Sequence, residues 1–83
     1  MVDIQYSTTF EKAVRKIKDS NLKEHVKLQI IKIINSPDVG KPLKYNLKGE
    51  RTLYVKPYRI IYSYNNEIIT FLLFEHRDEV YKE

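Results

Sequence analysis

An α+β fold, with two N-terminal helices packed on one face of a small antiparallel sheet, is the class this sequence predicts. Three observations lead there. Thr8 with Glu11, and Asn21 with Glu24, have the spacing of helix-starting capping boxes, and each stands ahead of an apolar stripe of helical period. Pro37 closes the second stripe, because it lacks a backbone N–H and restricts the residue before it. Beyond residue 50 come three runs of strand-forming residues, with Asn65-Asn66 between the second and third.

The elements follow in order. Val2, Ile4 and Tyr6 alternate with polar residues, the period of a short half-buried strand. Phe10, Ala13, Val14 and Ile17 make one stripe, so a helix is expected near residues 8–18. Asp19-Ser20-Asn21 reads as a turn. A second helix is expected from Leu22 to about Asn35, with Leu22, Val26, Ile30, Ile33 and Ile34 facing the core. Leu28 and Ile31 widen its apolar surface, either as a broad core contact or as a surface for a partner. Residues 36–50 read as a loop, because they hold Pro37, Gly40, Pro42 and Gly49. Strands are expected at Thr52–Lys56, Tyr58–Tyr64 and Ile68–Glu75. The last is apolar on both faces and should be central.

The 83 residues leave room for one domain spanning 1–83 and one core. A chain this short buries roughly 60% of its unfolded surface, so a partner would add to its stability. The absence of cysteine excludes disulfides and thiolate metal sites, and the two histidines stand far apart, so neither a metal nor a cofactor is expected. No stretch reads as a signal peptide or a membrane span, which points to the cytoplasm and no membrane partner. Charge is focal. Residues 41–59 carry Lys41, Lys44, Lys48, Arg51, Lys56 and Arg59 against Glu50 alone, a balance of +5 in a chain of net +4. Arginine and lysine on strand-forming sequence, between tyrosines, suit a polyphosphate partner.

Leu47-Lys48-Gly49, then Tyr58-Arg59-Ile60-Ile61-Tyr62, then His76-Arg77 with Val80-Tyr81 resemble the RelE/ParE superfamily of toxin–antitoxin toxins. The resemblance covers nearly the whole chain. It implies a RelE-like fold and a toxin neutralised by a co-expressed antitoxin. RelE-like members are messenger-RNA endonucleases acting in the ribosomal A site, where 16S rRNA contacts are implied. ParE-like members inhibit DNA gyrase. A third reading of this chain is a weakened toxin that acts as co-repressor on operator DNA through the antitoxin complex. The His-Arg-x-x-Val-Tyr ending favours the ribosome-dependent nuclease. Two places depart from the pattern: Thr52-Leu53-Tyr54-Val55 stands where the best-studied branch has two lysines, and Glu75 where it has an arginine.

Metal-free RNA cleavage attacks a phosphate with the neighbouring 2′-hydroxyl. It needs a base, an acid and positive charge on the phosphorane. The resemblance implies Arg59 as the main charge, because a guanidinium holds two phosphate oxygens at once. Arg77 would stabilise charge at the phosphate or the leaving group. Tyr81 would act on the 2′-hydroxyl, with its pKa lowered by cations, or stack on a base. His76 would serve as acid or base, or only bond the backbone. Arg51 and Lys56 would line the RNA path. Lys44 and Lys48 would meet backbone phosphates or remain solvated.

Overall fold

The computed structural model describes residues 2–43 and 49–76. Seven elements follow one another: β1 (Asp3–Tyr6), α1 (Thr8–Arg15), α2 (Ser20–Asn35), β2 (Lys41–Pro42), β3 (Glu50–Val55), β4 (Tyr58–Asn65) and β5 (Ile68–His76). The strands form one sheet in the order β1-β5-β4-β3-β2. β3, β4 and β5 are the expected antiparallel meander, and β5 lies inside the sheet.

Both helices begin where a short polar side chain can hold free backbone N–H groups, though not at the expected residues. Ser7, rather than Thr8, caps α1, and its Oγ accepts from Phe10 N–H at 2.9 Å. Asp19, rather than Asn21, caps α2 and accepts from Asn21 and Leu22 N–H at 2.9 and 3.3 Å. Neighbouring polar residues compete for each cap, and the one whose backbone is extended wins. α1 ends at Arg15, three residues short of the expected limit.

The sheet is mixed. β1 runs parallel to β5, from Asp3 opposite Ile68 to Tyr6 opposite Phe71, against the expectation of an antiparallel sheet throughout. The helices carry the chain from β1 to β2 at the opposite edge, and the meander brings it back to β5 alongside β1, a long enough connection for parallel neighbours. Alternation within β1 carries no information about the direction of its partner, so the sequence left this open. The loop expected over 36–50 also contains β2, where Lys41 and Pro42 pair with Thr52 and Arg51. The register of β4 on β5 shifts between Ile61 and Tyr62, leaving Leu72 as the extra residue of a bulge. Ser7 latches this point. Its hydroxyl donates to Leu72 O at 2.6 Å, and its N–H donates to Phe71 O at 2.9 Å.

Phe10, Val26 and Ile33 from the helices meet Val55, Ile60, Tyr62, Ile69, Phe71 and Phe74 from the sheet, and these form the core. Asn66 and Glu67 turn the β4–β5 hairpin, both with positive φ (51° and 63°). Two left-handed residues match the right-handed twist of the flanking strands. Leu28 and Ile31 are 52% and 46% exposed, so the apolar surplus of α2 faces outward.

Candidate functional site

Strand alternation assigns the candidate side chains to two faces. Ile60 and Tyr62 belong to the core face, so Arg59 and Ile61, which alternate with them, point away from the helices. Register brings Tyr54 and Glu75 to flank Arg59, and Thr52 and Leu73 to flank Ile61. Arg59, Tyr54 and Glu75 thus meet near one end of the three-stranded meander, with Thr52, Ile61 and Leu73 further along the same outer face.

Arg59 is only 3% exposed although it carries a permanent charge. Burying a guanidinium is costly unless polar or π groups replace its water. Tyr54 supplies both. Its Oη accepts from Arg59 Nη2 at 3.1 Å, and Arg59 Cζ lies 4.9 Å from the ring centroid. Tyr54 is 44% exposed, so this ring is the wet edge of the site. Glu75 takes the cross-strand position on the other side, and opposite charges so placed attract. Sequence reasoning missed the role of Tyr54. The signal was the two-residue turn Lys56-Pro57, which sets Tyr54 directly opposite Arg59.

His76 lies on the other face. It pairs with Tyr58, one register step beyond Arg59 and Glu75. Its ring meets Tyr58 edge-on at 5.4 Å, and Tyr58 in turn stacks on Phe74 at 4.9 Å. These rings floor a cleft of about 590 Å³ between the sheet and the C-terminal end of α1. Arg59 and His76 are thus not brought together. Lys56 sits exposed in the β3–β4 turn, close in sequence to the Tyr54 edge.

Arg51, expected along the RNA path, has a structural engagement. It is opposite Tyr62 on the core face, and its Nη1 donates to Gly40 O at 2.7 Å and Asp38 O at 3.2 Å. Tyr62 completes the clamp by accepting from Gly40 N–H at 2.9 Å and donating to Pro37 O at 2.6 Å. Burial pushes the Tyr62 phenol above its ordinary value, while the Gly40 N–H pulls the other way. Gly40 is obligatory here, because a Cβ would lie 2.6 Å from Tyr62 Oη. The clamp fixes the stem of the lysine-bearing segment. Lys44, Lys48, Arg77 and Tyr81 lie outside the described residues. Among the described residues, no group of three His, Cys, Asp or Glu side chains could hold a metal, and no helix is long and apolar enough to cross a membrane.

The family model described as the ParE toxin of the type II toxin–antitoxin system parDE matches residues 4–81. Solved structures share the fold. The chain is similar to the intact Escherichia coli RelBE toxin–antitoxin complex at 15% identity and a TM-score of 0.76, covering 92% of this chain and 96% of that one. The YoeB/ParE toxin from Agrobacterium tumefaciens superposes at 13% identity and 0.78, covering 92% and 99%. The E. coli DinJ-YafQ complex superposes at 23% identity and 0.75, covering 98% and 99%. No curated protein sequence matches.

Proposed function

The chain belongs to the ParE toxin family of type II toxin–antitoxin systems, within the RelE/ParE superfamily, and from that premise we propose that it is a ribosome-dependent mRNA endonuclease held inactive by its antitoxin. The observation that carries the reading is Arg59: a desolvated guanidinium, oriented by Tyr54 on a central strand, with the basic segment beside it in sequence. Positive charge fixed before the reaction stabilises the phosphorane without having to reorganise, and it acts most strongly where water is excluded. The bond formed joins the 2′-oxygen to phosphorus. The bond broken releases the 5′-oxygen of the next nucleotide.

Arg59 holds the non-bridging oxygens, and Tyr81 and Arg77 act as the base and as leaving-group support. His76, on the opposite face, is assigned to the neighbouring cleft rather than to the chemistry. Lys44, Lys48 and Lys56 guide the RNA backbone, and Arg51 shapes the stem that carries the first two. The whole of 1–83 acts as one toxin domain in the cytoplasm. Its target is mRNA in the A site, with 16S rRNA alongside, and its antitoxin complex is the form that would meet operator DNA.

One observation favours a second reading. Glu75 beside Arg59, and Thr52 and Tyr54 in place of cations, lower the positive potential of the outer face. A ParE-like gyrase inhibitor does not need that potential. Primer extension on mRNA from translating cells after induction separates the two: cuts inside codons support the nuclease, whereas DNA damage without cuts overturns it in favour of gyrase.

A further inference from the structure

The cleft on the helix side of the sheet has no part in the chemistry above. Its floor is aromatic, formed by Tyr58, Phe74 and His76, and its rim carries Lys12, Lys16 and Lys18. Lys12 and Lys16 are one helical turn apart at the end of α1, and all three lysines are exposed. Two carboxylates also border the cleft. Asp19 is engaged in capping α2, and Glu75 belongs by register to the Arg59 face. The cleft is therefore cationic above and aromatic below, and it opens at the same end of β5 that carries Glu75.

We propose that this cleft is a second RNA subsite, which holds single-stranded RNA next to the scissile position with phosphates on Lys12, Lys16 and Lys18 and a base against the His76–Tyr58 rings. The inference rests on the nuclease reading for its RNA, and its site is separate from the Arg59 face. Cations that track a backbone beside rings that accept any base are the usual physical basis of sequence-tolerant single-strand binding. An acidic peptide, such as an antitoxin segment, is the competing occupant. It would use the lysines but has no need of the rings. Placing His76 here also gives the histidine a role that its face of the sheet permits.

The test is fluorescence anisotropy of the antitoxin-free chain with a labelled 2′-O-methyl RNA 12-mer, which cannot be cut because no free 2′-hydroxyl remains. Lys12→Glu with Lys16→Glu should weaken binding about tenfold or more and reduce the salt slope by about 1.4, since a single-strand phosphate contact contributes about 0.7. The control pair Lys23→Glu with Lys27→Glu, exposed on α2 and not among the residues that line the cleft, should leave both values within about twofold. His76→Ala should weaken binding about fivefold or more at unchanged salt slope, by loss of stacking. The inference is overturned if the cleft reversals change nothing, if the α2 pair weakens binding equally, or if the reversals impair only antitoxin binding. If Arg59→Ala leaves cell-based mRNA cleavage intact while the cleft variants lose 12-mer binding, the catalytic assignment fails and the subsite stands.

Discussion

The two faces of the sheet follow different rules. On the helix side, Ile60, Tyr62, Ile69 and Phe71 are sealed against Phe10, Val26 and Ile33, and each choice of residue serves packing. On the other side, Arg59 and Thr52 are also buried, yet Arg59 is a charge and Thr52 Oγ1 has no hydrogen-bond partner among the described residues. The first face is what a stable fold requires. The second contains groups that cost stability, and such groups persist where a site needs them. Substitutions on the first face should therefore move stability and leave chemistry alone, with the reverse on the second.

The largest effect should come from Gly40→Val in the clamp on the helix-side face. Its Cβ would collide with the buried Tyr62 hydroxyl and release the 37–40 stem, costing about 2–4 kcal/mol of unfolding free energy. Thermal melting checks this, and a melting temperature within a degree or two of the parent would show that the clamp is dispensable. Next is Arg59→Lys, which keeps the charge but loses the planar fork and the contact with Tyr54. In-codon cleavage should fall about a hundredfold, equivalent to about 2.7 kcal/mol of barrier. Arg59→Ala is less clean because it also empties a buried position, so its melting curve must be read beside its activity.

Glu75→Gln is the sharper probe of the outer face. Removing a carboxylate beside Arg59 should raise cleavage several-fold, because like-signed charge near the phosphate opposes binding. A fall would mean that Glu75 orients the arginine. The smallest effect belongs to pH. The folded Tyr62 phenol has a pKa raised above its ordinary 10.0. Its neutral form then contributes stability fully below pH 10, and that contribution declines as pH rises from there through the folded value. Tyr62→Phe should flatten this alkaline decline in a melting series, at a cost of about 1–3 kcal/mol for the orphaned Gly40 N–H.

The sequence revealed the core face readily. Helical stripes picked out Phe10, Val26 and Ile33, and an apolar run marked β5 as interior. What it hid depended on pairing rather than on period. Whether β1 lies parallel or antiparallel, that the Ser7 hydroxyl closes on Leu72 O, and that Arg51 closes on Gly40 O all turn on neighbours distant in the chain. Of the candidate site, the sequence shows Arg59 as a cation inside a strand, whereas Tyr54 shows only as a residue in a stretch without the lysines of the resembled branch. The split between Arg59 and His76 follows from a register that no single strand displays.

On the proposed function, RNA is cut at the outer face, around Arg59. The direct measurement is the single-turnover rate of mRNA cleavage on reconstituted translating ribosomes, for the parent and for Arg59→Ala. The rate should fall about a hundredfold or more, with ribosome binding largely retained. A rate for Arg59→Ala equal to that of the parent, from protein that melts as the parent does, would contradict it.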